Sequence, residues 1–475
     1  MRSEPLWTVA DIVDATGGRL HGTVELELNG IAIDSRSIAK GDVFVAIKGD
    51  KLDGHAFAAS ALRGGAGLAV VARVDAALAD AGPHVLLDDD PLDGLRRMAV
   101  AARTRSRANI VAVTGSVGKT STKEMLHIAL AASGSTHAST ASFNNHWGVP
   151  LSLARMHKQS AYGVFEVGMN HAGEITPLVE MVRPHVAIVT NVAASHLGNF
   201  TSLDDIAAAK AEIFRGLVKN GTAVINRDSQ HFNFLKSVAQ TQGAKVLSFG
   251  RDKAADVCLK AISLQPEFSC ISASVCGTEV AFKLGLPGEH MAINSLAVLA
   301  AVHALGADMT RAMLALADAQ PAKGRGVQQH LRVPDGNILL LDESYNANPA
   351  SMRAALALLG QLRPGRAGRR IAVLGDMLEL GDFAPALHSE LAAVVSENSV
   401  DVLYAAGPMM AHLWNQTPLA LRGAYAASSA ELASSLIADV RAGDVVMIKG
   451  SLGSRMGPLA EQLRATYEAV NGKSN

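Results

Sequence analysis

The sequence predicts an α/β protein of three domains, on grounds of length, composition and periodicity. The chain has 475 residues, more than one ordinary hydrophobic core accommodates, and this length suggests about three domains. Apolar residues make up 49% of the chain and charged residues 18%, which is the balance of a globular protein. Strand-sized apolar runs alternate with helix-length segments, and this alternation is typical of parallel sheets covered by helices.

The first zone, residues 1–90, mixes short strands with helices and is predicted to be a small α/β domain. Strands are expected at residues 43–47, 67–72 and 84–87. Thr8 is placed to cap a helix that stops at Gly17-Gly18, because Thr favours the N-cap and Gly favours the helix end.

The second zone, residues 91–327, is predicted to be a central parallel-sheet domain. A strand at 110–114 runs directly into a glycine-rich turn and then a helix that ends near Gly134. Further strands are expected at 162–167, 186–190 and 222–225. Residues 248–282 show shorter alternating runs without helical periodicity, which favours an antiparallel flap or sheet edge.

The third zone, residues 328–475, follows the turn Lys323-Gly324-Arg325-Gly326 and is predicted to be a Rossmann-like α/β domain. Strands are expected at 338–342, 371–375, 402–406 and 445–449, each followed by a helix-length segment. No GxGxxG motif follows the first of them, so a dinucleotide site is not predicted.

Charge and composition exclude several classes of function. The chain carries 43 basic and 44 acidic residues, so it has no electrostatic footprint for nucleic acid or an anionic membrane. No signal-peptide pattern opens the sequence, and its apolar runs are too short for membrane insertion. Three cysteines, Cys258, Cys270 and Cys276, are too few for a zinc or disulfide framework and are expected to be buried free thiols. We therefore expect a cytoplasmic protein.

The most specific motif is the glycine-rich turn after the strand at 110–114. It consists of Gly115, Ser116, Val117, Gly118, Lys119, Thr120 and Ser121. Backbone N–H groups of such a loop converge on phosphate oxygens, Lys119 supplies a positive charge and Thr120 offers a hydroxyl to Mg²⁺. Val113 stands where the usual motif has its first glycine, so the pattern is Thr-Gly-x-x-Gly-Lys-Thr. A chance turn is the alternative, but the strand before it and the helix after it favour an ATP site.

Three further residues are candidate metal ligands or catalytic groups. Glu166 ends the apolar strand at 162–167, where a parallel neighbour of the phosphate loop brings a carboxylate near the nucleotide's metal. An ordinary strand-end glutamate is the alternative. His196 and Lys210 are, taken singly, a surface or core histidine and an exposed helix lysine.

Together these motifs resemble the Mur ligase family, ATP-dependent amide-forming enzymes of peptidoglycan precursor synthesis. The resemblance covers essentially the whole chain, and the compressed loop Thr114-Gly115-x-x-Gly118-Lys119-Thr120 is part of it. It implies Lys119, Glu166, His196 and Lys210 as catalytic residues. It also implies two Mg²⁺ ions, held by Thr120, Glu166, His196 and a carbamate formed by CO₂ on Lys210. A carbamate is an oxygen ligand, whereas an ammonium repels Mg²⁺.

The resemblance also implies residues that contact the nucleotide. They are His290 and Asn294 in a segment that otherwise reads as a plain helix start, Arg325 in the turn before the third domain, and Asp342 at the third domain's first strand. A solvated linker arginine is the alternative for Arg325.

Substrate contacts are implied in all three domains. Ser35 and Arg36 would face a UDP group, with a polar turn as the alternative. Ser142-Phe143-Asn144-Asn145 with Gly148-Val149-Pro150 resembles a loop that contacts substrate and nucleotide, through Asn144 and Asn145. The segment with Tyr345, Asn346 and Asn348 resembles that of the D-alanyl-D-alanine-adding branch, and no Asp-Asn-Pro-Arg run of the diaminopimelate- or lysine-adding branch occurs.

The implied activity is the ATP-dependent joining of D-alanyl-D-alanine to UDP-N-acetylmuramoyl-tripeptide through an acyl phosphate. The first domain would bind the UDP-sugar, the central domain ATP, and the third domain the dipeptide. The alternatives are a diaminopimelate- or lysine-adding ligase, folylpolyglutamate synthase, and a non-catalytic nucleotide-binding homologue. A monomer is favoured.

Overall fold

A computed structural model of the chain describes residues 4–140, 142–195 and 197–467. Three sheets organise these residues, with strands within 19–86, 109–284 and 327–449. The predicted three-part α/β architecture is therefore confirmed, whereas the domain boundaries at residues 90 and 327 stay predictions. No helix in the described ranges is long and apolar enough to cross a membrane.

The first sheet has strand order β1-β5-β4-β3-β2, and only β1 runs antiparallel to its neighbour. Its elements are α1 (Val9–Thr16), β1 (Arg19–His21), β2 (Gly30–Ala32), β3 (Asp42–Val45), α2 (His55–Arg63), β4 (Leu68–Val71), α3 (Ala76–Ala79), β5 (His84–Leu86) and α4 (Pro91–Arg105). Thr8 caps α1 in a reciprocal capping box, and Gly17 ends the helix in a left-handed conformation, as expected.

The central sheet has the order β14-β13-β12-β11-β10-β9-β6-β8-β7. Its elements are β6 (Asn109–Thr114), α5 (Lys119–Ala131), β7 (Thr136–Ala138), α6 (Gly148–Ala154), β8 (Tyr162–Glu166), α7 (Ile175–Val182), β9 (Val186–Val189), α8 (Leu203–Ala211), β10 (Thr222–Asn226), α9 (Phe232–Thr241), β11 (Lys245–Gly250), β12 (Val257–Leu264), β13 (Ser269–Val275), β14 (Thr278–Leu284), α10 (Glu289–Ala304) and α11 (Met309–Leu316). In this order all neighbours from β12 through β6 to β7 pair in parallel. The pairs β12–β13 and β13–β14 are antiparallel. The antiparallel edge predicted at 248–282 is thus confirmed.

The third sheet has the order β15-β16-β20-β17-β18-β19, with β15 antiparallel and the other pairs parallel. Its elements are β15 (Val327–Val333), β16 (Gly336–Glu343), α12 (Pro349–Gln361), β17 (Arg370–Gly375), α13 (Ala384–Ser389), α14 (Leu391–Glu397), β18 (Val402–Ala406), α15 (Met410–Gln416), β19 (Arg422–Ala426), α16 (Ser429–Asp439), β20 (Val445–Lys449) and α17 (Met456–Thr466). Apolar residues pack on both faces of this sheet, as helices on both sides require.

Helix α4 joins the first and central domains. Its Leu95 and Met98 are buried in the apolar cluster of the first domain, and its Ala99 is buried in that of the central domain. Nearby, the Trp7 indole donates a hydrogen bond to the carbonyl of Ala154 at 2.8 Å. One helix therefore serves two cores.

Two sequence-based expectations are wrong. Gly148-Val149-Pro150 does not form a contact loop, because these residues are the buried first turn of α6, which packs on α4. Of the three cysteines only Cys258 is buried, since Cys270 and Cys276 are exposed.

Candidate active site

A cavity of about 660 Å³ lies between the central and third domains. One wall is formed by the glycine-rich loop and the start of α10. The opposite wall is formed by the segment after β16, one side of α12 along its length and Lys449 at the end of β20. The site therefore lies at the carboxyl ends of parallel strands from two sheets, where open α/β sheets bind ligands.

The glycine-rich loop is shaped by its two glycines. Gly118 has a φ of +83°, and an added Cβ there would lie 2.6 Å from the side-chain Nδ2 of Asn294. Gly115 also has positive φ, and an added Cβ would overlap the hydroxyl of Thr190. That hydroxyl instead donates a hydrogen bond to the carbonyl of Val117 at 2.6 Å. The loop thus leads from β6 into the N-terminus of α5, a ready anion site.

Thr120, Glu166 and Asn144 meet at the edge of this loop. The Thr120 hydroxyl donates to Glu166 Oε2 at 2.9 Å, and Asn144 Nδ2 donates to Glu166 Oε1 at 2.7 Å. Glu166 is 1% exposed, so its carboxylate is held rigidly. No group of three or more His, Cys, Asp and Glu side chains suited to a metal occurs in the described ranges. The donor set nevertheless fits Mg²⁺, which uses one or two carboxylates together with substrate phosphates.

Two lysines beside the loop are desolvated. Lys119 Nζ donates to the carbonyl of Gly115 at 2.7 Å, and burial lowers the pKa of Lys119, with the Glu166 charge opposing this shift. Lys210, on α8, is 2% exposed. Burial, and then the charge of Lys119, lower the pKa of Lys210 well below its usual value. No carboxylate of the described residues pairs with Lys210.

His290, Asn294 and Arg325 lie around the same cavity. Burial lowers the pKa of His290, which favours the neutral imidazole. The Arg325 guanidinium lies 4.2 Å from the ring centroid of Tyr345, a cation–π contact that joins the inter-domain turn to the third domain.

Comparisons with known proteins place these features in a family. The Mur ligase middle domain model matches residues 113–302, the Mur ligase, glutamate ligase domain model matches 329–452, and the Mur ligase family, catalytic domain model matches 27–104. An Escherichia coli (strain K12) relative named UDP-N-acetylmuramoyl-tripeptide--D-alanyl-D-alanine ligase is 36% identical over 402 residues, covering 84% of this chain and 86% of that protein. The chain belongs to the Mur ligase family.

Solved structures agree with this assignment. A crystal structure of MurF from Acinetobacter baumannii superposes with a TM-score of 0.83 at 30% identity, covering 97% of this chain and 99% of that one. MurF ligase from Thermotoga maritima, in complex with ADP, gives a TM-score of 0.75 at 28% identity, covering 92% of this chain and 97% of that one.

The remaining predicted residues of this Mur ligase are divided between the cavity and other places. Ser116 to Ser121, Asn144, Asn145, Tyr345, Asn346 and Asn348 all line the cavity. Asn145 also contacts the start of α6, because its side-chain oxygen accepts a hydrogen bond from the Gly148 amide at 2.9 Å. Ser35 and Arg36 lie in the first domain, where Arg36 is exposed and pairs with Asp34. His196 lies outside the described residues.

Asp342 does not line the cavity. Its carboxylate accepts hydrogen bonds from the Ser344 hydroxyl and from Arg464, both at 2.6 Å. The next residue, Glu343, does line the cavity. Successive side chains of a strand point to opposite faces, so one position of register decides which carboxylate reaches the site.

Sequence reasoning assigned no site role to several cavity residues of this Mur ligase. Glu343 and Lys449 face each other, with Lys449 Nζ 3.3 Å from a Glu343 carboxylate oxygen and 3.0 Å from the carbonyl oxygen of Asn346. Asn191 and Asn226 line the cavity from the ends of β9 and β10. The signal that could have found all four is position, because each ends a parallel strand or lies within two residues of its end.

Proposed function

We propose that this Mur ligase joins D-alanyl-D-alanine to UDP-N-acetylmuramoyl-tripeptide at the expense of ATP. The observation that carries the proposal is the cavity in which Lys119, Thr120 and Glu166 face Tyr345 and Asn348 of the third domain. A phosphate-binding loop opposite a polar wall on another domain suits transfer between ATP and a second bound molecule. The names of the relatives supply the substrates.

The chemistry proceeds in two steps. The terminal carboxylate of the tripeptide attacks the γ-phosphorus of ATP, so that a carboxyl O–P bond forms and the bond to ADP breaks. The amine of D-alanyl-D-alanine then attacks the acyl carbon, the new C–N bond forms, and inorganic phosphate and a proton leave. Phosphorylation is needed because a free carboxylate is a poor electrophile.

The loop residues hold the phosphates in line with the attacking carboxylate. Loop N–H groups would contact the phosphates of bound ATP, and the Lys119 ammonium would offset charge at the β- and γ-phosphates during transfer. Thr120, Glu166 and His196 would hold Mg²⁺, two ions in all, which neutralise phosphate charge when bound. Glu166 needs no reorganisation for this role, since Thr120 and Asn144 already orient both its oxygens.

Lys210 is proposed to carry a carbamate. Its lowered pKa favours the neutral amine, which is the form that adds CO₂ and releases a proton. The resulting anion would remove the repulsion between Lys210 and Lys119 and supply an oxygen ligand to Mg²⁺.

The other predicted residues keep their proposed roles. His290, Asn294, Arg325 and Asp342 serve the nucleotide, and for Asp342 the role would be indirect, through Ser344. Ser35 and Arg36 are assigned to the UDP group. The substrate wall comprises Asn144, Asn145, Tyr345, Asn346 and Asn348. We propose domains at 1–90, 91–327 and 328–475, and a cytoplasmic monomer.

An acceptor panel tests the function. ADP release is measured with UDP-N-acetylmuramoyl-tripeptide and each of D-alanyl-D-alanine, D-alanine, lysine, diaminopimelate or no acceptor, and the peptide product is identified by mass. Turnover only with the dipeptide, and a mass increase equal to one dipeptide less one water, are expected. Release that does not depend on the dipeptide, or that depends on lysine or diaminopimelate instead, would contradict the assignment.

A further inference from the structure

Residues 376–381, termed the 376–381 segment, leave the end of β17 and reach the central domain. The Gly198 amide donates a hydrogen bond to the carbonyl of Glu379 at 3.1 Å. Gly198 belongs to the short turn Leu197–Asn199, and Gly381 begins a turn of the third domain. The segment therefore makes a backbone-to-backbone contact between two domains.

This contact leaves little room for side chains. A Cβ on Gly381 would lie 2.8 Å from Gly198 Cα, and a Cβ on Gly198 would lie 3.2 Å from the Gly381 nitrogen. Glu379 has a φ of +64°, which is costly for a residue other than glycine and persists only where surroundings enforce it. A strained backbone and two apposed glycines indicate a fixed meeting point of the two domains.

The same segment is tied to the cavity wall through Ser451, which is 5% exposed. The Leu378 amide donates to Ser451 Oγ at 2.9 Å, and Ser451 Oγ donates to the carbonyl of Ala347 at 3.2 Å. Ala347 lies between Asn346 and Asn348, both of which line the cavity. One hydroxyl therefore links the inter-domain contact to the substrate wall.

His388 holds the base of the segment. It is fully buried, its Nε2 accepts from the Met377 amide at 3.0 Å, and its Nδ1 donates to the carbonyl of Ala384 at 2.7 Å. The segment is thus held within its own domain at Met377 and Leu378, and its tip makes the contact with Gly198.

We propose that docking of the 376–381 segment on Gly198 sets the position of the substrate wall relative to the phosphate loop, with Ser451 as the positioning residue. The proposal rests on the ligase function proposed above. Ser451 does not line the cavity, so the coupling acts on the geometry of transfer and not on binding of the nucleotide. A misplacement of about 1 Å can lower a transfer rate on the order of 10²-fold.

Gly381→Ala tests the contact against Gly306→Ala. Both glycines have positive φ, +54° and +64°, but a Cβ on Gly306 meets no atom within 4 Å. The two variants share the backbone cost and differ in the inter-domain clash. We expect Gly381→Ala to lower kcat on the order of tenfold or more while ADP affinity changes less than about twofold. Equal kcat values for the two variants would overturn the proposal.

Gly198→Ala places the added Cβ on the central-domain side of the contact, at a residue whose φ is not positive. It replaces Gly381→Ala as the test if that variant fails to fold. Ser451→Ala is compared with Ser454→Ala, since the Ser454 hydroxyl donates only to the Ser451 carbonyl. A kcat loss confined to Ser451→Ala is expected, and equal losses would count against the positioning role.

Amide hydrogen exchange separates this proposal from the ligase assignment. The Gly198 amide should be protected in the wild type and in Gly306→Ala and should exchange faster in Gly381→Ala. This readout needs no turnover, so an inactive wild type that shows the pattern refutes only the ligase function. An unprotected Gly198 amide in the wild type, with nucleotide and both substrates present, would refute the docking.

Discussion

At the residue scale, three buried lysines of this protein differ in the groups that offset the free-energy cost of burying their charge. Lys449 has the Glu343 carboxylate nearby, and Lys119 has a carbonyl and the more distant Glu166 charge. For Lys210, Lys119 adds repulsion to burial. The free-energy cost of an ammonium is therefore greatest at Lys210, and this residue is the best placed of the three to react as a neutral amine.

Lys119→Gln should lower kcat on the order of 10²–10³-fold, because one preorganised charge at the transferring phosphoryl group is lost. The melting temperature should not fall by more than about 2 °C, since the substitution also removes the cost of burying an ammonium. Steady-state kinetics and calorimetry measure the two effects. Lys219→Gln, at an exposed position, is the control and should match the wild type.

Lys210→Ala should lose activity on the order of 10²-fold and should lose a carbamate resonance in spectra recorded with ¹³C-bicarbonate. Wild type and Lys219→Gln should both show that resonance. Full activity of Lys210→Ala in buffer freed of CO₂ would refute the carbamate.

At the element scale, sequence periodicity predicts the buried strands and misses the short edge strands. β6, β8 and β20 are apolar runs that the sequence predicts almost to the residue. β1 is exposed at all three positions and β7 is only half-buried, so neither carries an apolar run. The start of α6 contains Gly and Pro, and burial against α4 overrides their preference for a loop.

The N-terminus of helix α7 is hydrogen-bonded to a carboxylate from another element. Glu212 accepts from the amides of Gly173 and Thr176, at 2.6 and 3.0 Å, and from the Thr176 hydroxyl at 3.0 Å. Glu212→Gln should lower the free energy of unfolding by about 1–2 kcal/mol, because a charged cap of the helix is lost. Denaturant unfolding measures this, with Glu180→Gln on the exposed face of α7 as the control. An equal effect of both variants would contradict the capping role.

On β7, His137 donates from Nε2 to the carbonyl of Ser152 at 2.7 Å, and burial lowers its pKa from 6.5 to about 4. As the pH falls, the unfolded chain therefore binds a proton at this histidine before the folded chain does. Stability should decrease as pH falls from about 6.5 to about 4, by about 3 kcal/mol for this residue. His137→Gln should flatten that part of the stability curve, whereas His303→Gln, at an exposed position, should not. Parallel curves for wild type and His137→Gln would contradict the assignment.

At the scale of the whole molecule, the cavity depends on how the third domain faces the central one. Local patterns identify Thr120, Glu166 and Tyr345, but they do not show that these side chains share one cavity. They also do not separate Asp342 from Glu343, because the face of β16 that meets the cavity is set by domain placement. The components of the site can be predicted from sequence, and their assembly cannot.

Substrate binding should change the compactness of the molecule. The acceptor must reach the acyl phosphate while water is excluded, which requires the third domain to close on the central domain. Small-angle scattering should show a smaller radius of gyration with an ATP analogue and both substrates than with none. Gly381→Ala should compact less than Gly306→Ala, and no compaction in the wild type would contradict closure.

Helix α4 constrains how this molecule can be recombined. A chimera that exchanges the first domain at residue 90 would pair a foreign sheet with Leu95 and Met98 of the resident helix, leaving mismatched apolar surfaces. A crossover after α4 would instead bring in a foreign α4, whose residue at position 99 and whose surface against α6 would not match the resident central domain. Functional exchange of the first domain therefore requires α1, α4 and α6 to move together, although α6 lies in the central domain.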